Sequence, residues 1–479
     1  MEKILFVASE ATPFIKTGGL ADVIGSLPQS LAKRKHDVRV VIPLYKKISL
    51  AKRDKMKLET SFDINVGIIK QTAKIYSTKV HDVIYYFVQN DNYFDRDKLY
   101  SYADDGERFA FFQIAVLEML KKLAFFPDVI HSHDWHTGMI APLCKIKYQK
   151  DQRYQAIKNV FTIHNIAFQG NFPKVVLKDL FEIPDKYYFD GQMRFHDGAI
   201  SYMKAAIVYA DKITTVSETY ANEILTSEMG EDLDEILRFR RNDLWGILNG
   251  IDTNVWNPET DKYLAKNYNS RAYKASKKAC KKALQTEMGL RVSRDTILVG
   301  MVSRLTYQKG VYLILEKLQE ILGLDIQFVV LGTGEAAVEK AFKEMEYNYK
   351  RRAAYYCGYN EKLAHKMYAG CDLLLMPSLF EPCGISQLIA MRYGTLPLVR
   401  ETGGLKDTVQ PYNMYTNEGN GFSFYPFNSH DLWFTLKSAV DTFYLNHDAW
   451  DILIKNAMAT DVSFEKSTDL YEKLYFSLK

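Results

Sequence analysis

Short apolar, β-branched runs recur along this chain with helix-like spacers between them, and the series starts twice. In the first half the runs are 4–7, 38–42, 83–88, 129–131, 160–164 and 213–216; in the second they are 296–303, 326–331, 354–357, 373–376 and 396–399. Strand runs alternating with helices specify a mainly parallel sheet covered on both faces, which places ligands at the carboxyl ends of the strands. Segments 309–322 and 336–349 read as two of the covering helices. A chain of 479 residues exceeds the size at which one core keeps growing, so two domains are expected. The Gly/Asn/Asp-rich stretch Trp245-Gly246-Ile247-Leu248-Asn249-Gly250-Ile251-Asp252 reads as the turn between them. The expected organisation is a Rossmann-like N-terminal domain over 1–248, a second Rossmann-like domain over 249–455, and a terminal helical segment over 456–479 whose packing partner the sequence leaves open.

The tetrapeptide Thr-Gly-Gly-Leu stands once in each half, as Thr17-Gly18-Gly19-Leu20 and Thr402-Gly403-Gly404-Leu405, with Asp22 and Asp407 two residues further on. Each copy follows an apolar run and precedes a helix-like stretch. A glycine turn at a helix start lets backbone N–H groups approach an anion, so both copies read as phosphate turns, the first preceded by Lys16. In the second half the run ending at Ser303 delivers Arg304 and Lys309 into one loop before Gly310. Two fixed cations beside a glycine suit a diphosphate. A further loop, Ser378-Leu379-Phe380-Glu381-Pro382-Cys383-Gly384, offers the Glu381 carboxylate to sugar hydroxyls and N–H donors near Gly384.

Composition excludes several classes. The 62 basic and 58 acidic residues give a net charge of +4, far from a nucleic-acid binder's excess. No apolar stretch is long enough for a membrane helix, and the N-terminus is too short and acidic for a signal peptide, so a cytoplasmic location is expected. Five scattered cysteines without a Cys-x-x-Cys pair suggest thiols rather than a disulfide framework. Lys277, Lys278, Lys281 and Lys282 read as a solvated helix face, as does Asp232-Leu233-Asp234, which spells a nucleotide-sugar metal motif without a strand before it. The string His131-Ser132-His133-Asp134-Trp135-His136 raises a metal centre, but its aspartate is one position out of place for a binuclear metallohydrolase, and no metal is expected.

Together these motifs carry a resemblance. Lys16 to Val23, His131 to His136, Thr162 to Asn165, Asn249 to Asp252, Ser303 to Gly310, Glu381 to Gly384 and Glu401 to Leu405 resemble, in order and over nearly the whole chain, the bacterial glycogen synthase and plant starch synthase family. The resemblance implies a GT-B fold, two Rossmann-like domains closing over a cleft, and metal-independent, retaining transfer of glucose from ADP-glucose to the non-reducing end of an α-1,4-glucan. It implies that Lys16, Gly18, Gly19 and Asp22 serve the donor from the first domain and Arg304 and Lys309 hold its diphosphate from the second. By the same resemblance His164 lies near the anomeric carbon with Asn165 beside it, and Glu381, Cys383 and Gly384 bind the sugar. Thr402, Gly403 and Gly404 donate to phosphate, Tyr359 stacks on adenine, Asp134 and Trp135 line the acceptor side, and Asn249 lines the donor side. Many retaining GT-B enzymes carry a second glutamate eight residues after the first; here that position is Ile389, a departure shared with glycogen synthases. A UDP-glucose enzyme, a metallohydrolase and an inactive glucan-binding protein are the rival readings.

Overall fold

The computed structural model describes all residues from Met1 to Lys479. It divides into two compact units, Met1–Asn249 with Phe464–Lys479, and Gly250–Ser463. No helix is long and apolar enough to cross a membrane.

The first unit is built on nine strands: β1 (Lys3–Val7), β2 (Asp37–Pro43), β3 (Lys57–Val66), β4 (Ile69–Val80), β5 (Val83–Gln89), β6 (Val129–His133), β7 (Lys158–Ile163), β10 (Lys212–Thr215) and β11 (Leu244–Gly246). Their order is β11-β10-β7-β6-β1-β2-β5-β4-β3. The short strands β8 (Asn171–Pro173) and β9 (Ala199–Ser201) form a separate antiparallel pair. β1 pairs in parallel with β2 and β6, and Ile4, Leu5, Phe6 and Val7 are fully buried, as a strand covered on both faces requires. The helix Gly19–Lys33 buries Leu20, Val23, Ile24, Leu27 and Leu31, the i, i+3, i+4 stripe of a core-facing helix.

The sequence runs miss the hairpin of β3 and β4, where antiparallel pairing replaces the crossover pattern. β3 alternates exposed and buried residues instead of presenting an apolar run, because its outer face meets water. β11 also lies inside the stretch read as a turn; its three residues pair in parallel with β10.

The terminal segment parts at Phe464. Its helix Glu465–Phe476 belongs to the first unit, where Arg34 bonds Glu465 at 2.9 Å and Glu472 at 2.7 Å and also pairs with Asp469. Thr468 donates to Ser30 at 2.8 Å, and Tyr475 Oη sits 2.7 Å from His131 Nδ1 beneath the sheet's centre.

The second unit carries β12 (Ile297–Val302), β13 (Ile326–Gly332), β14 (Ala353–Cys357), β15 (Leu373–Met376), β16 (Leu396–Arg400) and β17 (Phe422–Phe424). The order is β14-β13-β12-β15-β16-β17, with every neighbouring pair parallel. Segment 309–322 is two helices, Val311–Glu316 and Leu318–Gly323, broken at Lys317.

The lysine cluster is only half a solvated face. Helix Tyr273–Glu287 turns Lys277 and Lys281 inward. Lys277 Nζ donates to the carbonyls of Ala369 (3.0 Å), Cys371 (3.2 Å) and Tyr393 (3.1 Å) and to Thr395 Oγ1 (2.9 Å). Lys281 pairs with Asp372 at 2.6 Å. Residues four apart share a helix face, so these two go inside together while Lys278 and Lys282 stay out. The Asp-x-Asp string likewise divides: Asp232 precedes the helix with φ of 63°, and Asp234 opens helix Asp234–Phe239, buried and bonded to Arg238 at 2.6 Å.

Candidate active site

In the first unit the carboxyl end of β1 leads to Glu10 and then to the loop carrying Lys16, Thr17 and Gly18. Glu10 is 3% exposed, and its Oε2 accepts from Thr17 N at 2.5 Å and Thr17 Oγ1 at 2.8 Å. Burial pushes its carboxyl pKa up to about 7 despite those two bonds. Gly18 is extended (φ −154°) and provides no side-chain cap for helix Gly19–Lys33. The nearest atom to a Cβ placed on Gly18 is Glu10 Oε1 at 3.7 Å. The glycine is therefore not forced by conformation; what it provides is an unshielded start to a fifteen-residue helix, the geometry that receives an anion. Lys16 Nζ sits 2.8 Å from Asp22 Oδ1, one turn into that helix.

The ends of β6 and β7 supply the second element of this unit. Asp134 turns the chain with φ of 56°, and its Oδ1 accepts from His164 N at 2.8 Å and Asn165 N at 3.4 Å. Burial raises the Asp134 pKa to about 7. His133 Nδ1 lies 3.0 Å from His164 Nε2, and Asn165 Oδ1 accepts from Ala167 N at 3.0 Å. Trp135 packs among aromatic rings, stacked on His136 at 4.0 Å with Phe109 and Phe172 nearby. The side chain of Gly170 is absent because a Cβ there would fall 2.5 Å from Trp135 Cε3. Asn249, at the end of the unit, is buried with Oδ1 unpartnered.

The histidines do not converge. His131 spends Nδ1 on Tyr475 and Nε2 on Thr162 Oγ1 (2.6 Å), and His136 is stacked on Trp135 and tilted against Tyr100. No group of three His, Cys, Asp or Glu is arranged to hold a metal ion. Burial holds the pKa values of His131, His133, His136 and His164 well below the ordinary imidazole range, so all four are neutral near pH 7.

In the second unit three strand-end loops are fastened together. Lys309 Nζ meets Glu381 Oε2 at 2.5 Å, with side chains 16% and 12% exposed, and Ser378 Oγ donates to the same oxygen at 3.1 Å. Leu379 N donates to Gln308 O at 2.8 Å, and Gln308 Nε2 returns a bond to Phe380 O at 3.2 Å. The glycines here act by close packing. Gly403 has φ of 44°, and a Cβ on it would meet Glu381 O at 2.0 Å; one on Gly404 would meet Cys383 O at 2.1 Å. The Thr402-Gly403-Gly404 turn is thus seated on the Glu381–Cys383 backbone. Gly384 takes φ of 74°, with Gln387 Oε1 2.5 Å from the position of its missing Cβ. Arg304 is exposed, and Tyr359, after the φ 142° turn at Gly358, shows 78% of its surface.

Residues 3–239 match the family model described as starch synthase catalytic domain, and residues 289–457 match glycosyl transferases group 1. The glycogen synthase of Bacillus cereus (strain Q1) is 48% identical over 475 residues, 99% of each chain. The chain belongs to the glycogen synthase and starch synthase family. The glycogen synthase of Desulforamulus reducens is 47% identical across 99% of this chain and 98% of its own. Among solved structures, the catalytic domain of starch synthase IV from Arabidopsis thaliana, bound to ADP and acarbose, superposes with a TM-score of 0.93 at 32% identity over 99% of both chains. Sucrose-phosphate synthase from Thermosynechococcus elongatus shares the fold alone, with a TM-score of 0.59 at 15% identity. The fold class is therefore α/β of the GT-B type with two Rossmann-like units, and the chain is a glycosyltransferase of glycogen or starch synthesis.

Two features of the site were not read from sequence. Glu10 is an ordinary acidic residue after a strand until its bonds to Thr17 are seen, and His133 looked like one histidine among several. The position of Glu10 three residues after β1 and seven before Thr17 was the available signal for the first. For the second no sequence signal exists, since His164 lies thirty-one residues away.

Proposed function

We propose that this enzyme moves glucose from ADP-glucose to the non-reducing end of an α-1,4-glucan, with retention at the anomeric carbon and without a metal ion. The observation that carries the reading is the fastened loop set of the second unit, in which Lys309 is held by Glu381 and the Gly403-Gly404 turn is seated on the same loop. Full-length likeness to glycogen synthases supports the glucan acceptor, and the ADP and acarbose bound to the Arabidopsis relative support an adenine donor and an oligosaccharide acceptor. Lys16, Gly18, Gly19, Arg304 and Lys309 hold the diphosphate, the Thr402-Gly403-Gly404 turn donates to it, and Asp22 orients Lys16. Glu381, Cys383 and Gly384 bind the glucosyl hydroxyls. Tyr359 stacks on adenine, Asn249 lines the donor side with Asn165 and His164, and Asp134 and Trp135 shape the acceptor side.

Retention follows a front-face route in this proposal. The bond from the anomeric carbon to the diphosphate oxygen breaks as the acceptor O4 bonds the same face. The O4 proton passes to the departing phosphate, whose charge Lys16, Arg304 and Lys309 stabilise. Asp134, engaged with the N–H groups of His164 and Asn165, is not presented as an opposite-face nucleophile. The test is proton NMR of the new linkage formed from ADP-glucose and maltooligosaccharide with a chelator present. An α-1,4 product at undiminished rate is expected; a β linkage or loss of activity to the chelator would reject the mechanism.

A further inference from the structure

The contact between His133 and His164 fixes which nitrogen of His164 carries its proton. Both imidazoles are neutral, so across the 3.0 Å separation of His133 Nδ1 and His164 Nε2 one ring donates and the other accepts. If His164 donated, the His133 proton would sit on Nε2. That nitrogen is buried and has no hydrogen-bond partner. Nor can its neighbours supply one. His131, 4.2 Å away between ring centroids, has both nitrogens engaged by Tyr475 and Thr162, and the stacked Phe6 ring, at 5.6 Å, carries no acceptor. A buried N–H without an acceptor is rarer in folded proteins than an under-used acceptor. The arrangement with His133 Nδ1–H donating leaves only an unused lone pair inside.

We infer that His133 is a positioning residue that donates through Nδ1 to His164 Nε2 and thereby locks His164 as the Nδ1–H tautomer. The His164 backbone is pinned independently, its N–H held by Asp134 at 2.8 Å, so ring and main chain are both set before substrate arrives. His164 then offers a neutral N–H donor at Nδ1, which makes no hydrogen bond inside the protein, and has no basic nitrogen free. This rests on the proposed placement of His164 beside the transferred glucose, and it deepens it: the residue hydrogen-bonds a glucosyl oxygen and removes no proton. The acceptor hydroxyl's proton must therefore leave by another route, as the front-face mechanism supplies.

The experiment is long-range nitrogen–proton NMR on the full-length enzyme labelled with ¹⁵N-histidine, with His164 assigned by its loss in His164→Ala. The Nδ1–H pattern for His164 is expected in the wild type and in His133→Asn, whose amide nitrogen occupies the place of Nδ1. His133→Leu should release the tautomer to Nε2–H and lower kcat about tenfold, the loss that accompanies one misplaced hydrogen bond, with the acceptor KM unchanged. His133→Asn should keep kcat within about threefold of wild type, since its donor is retained. An Nε2–H pattern for His164 in the wild type overturns the inference whatever the variants do. If His164→Ala transfers glucose at the wild-type rate, the placement of His164 at the donor fails while the tautomer assignment stands.

Discussion

Lys309→Ala is the substitution whose consequence follows most directly from the geometry. The ammonium is held at 2.5 Å by Glu381, whose same oxygen takes a second bond from Ser378, so its position is set without the donor. A preorganised charge aimed at a developing oxyanion contributes about 3 to 4 kcal/mol, or 10²- to 10³-fold in kcat. Partial neutralisation by Glu381 places Lys309 toward the lower end, about 10²-fold. Removing Lys309 also leaves Glu381 in a mostly buried position with only Ser378, which costs the second unit about 1–3 kcal/mol of stability. Turnover should therefore be measured at saturating ADP-glucose after circular dichroism has confirmed the fold. Glu381→Gln changes two things at once, because it frees Lys309 from its counter-ion and removes the carboxylate proposed to bind the glucosyl hydroxyls. It should lower kcat. A Lys309→Ala enzyme with kcat within about threefold of wild type would refute the assignment of Lys309 to the leaving group.

Three further outcomes are expected. Gly403→Ala should abolish most transfer and lower the stability of the second unit, because the new methyl would fall 2.0 Å from Glu381 O at a φ of 44°; a variant with normal activity and thermal midpoint would contradict this. Lys277→Met should destabilise the second unit by about 3 kcal/mol in urea, since Ala369 O loses its lysine bond inside while the Tyr393 and Cys371 carbonyls keep bonds from Tyr268 and Thr395; a loss under about 1 kcal/mol would show those carbonyls rehydrated. For pH, lowered histidine values mean that unfolding takes up protons below about pH 6.5, whereas the raised values of Glu10 and Asp134, both about 7, mean that unfolding releases them. The four histidines outweigh the two carboxyls, so the first unit should lose about 2 kcal/mol between pH 6 and 5, and Glu10→Gln should steepen that slope. A flat profile would contradict the neutral burial of the histidines.

What could be read from the sequence was whatever is local and periodic. The eleven apolar runs all fall on strands with at least one parallel neighbour, because a strand buried on both faces has no choice but to be apolar. β3 escaped because half its residues face water. Lys277 and Lys281 were misread for a related reason: a lysine's burial depends on distant acceptors, here the carbonyls of Ala369, Cys371 and Tyr393 and the carboxylate of Asp372, and no helix pattern announces them. The loops bearing Lys16, Arg304, Lys309 and Glu381 were visible because glycines and charged residues stand together directly after apolar strand runs. Their fastening was not. That Gly403 and Gly404 admit the Glu381–Cys383 backbone, or that Glu10 ties down Thr17, depends on distances between segments that only the fold brings together.

The identity of the donor decides the proposed function. Incorporation of labelled glucose into glycogen should be compared in parallel from ADP-glucose and UDP-glucose, at equal concentration and with a chelator present. Transfer that strongly favours ADP-glucose and is indifferent to the chelator is expected. Preference for UDP-glucose, or no transfer from either donor, would contradict it.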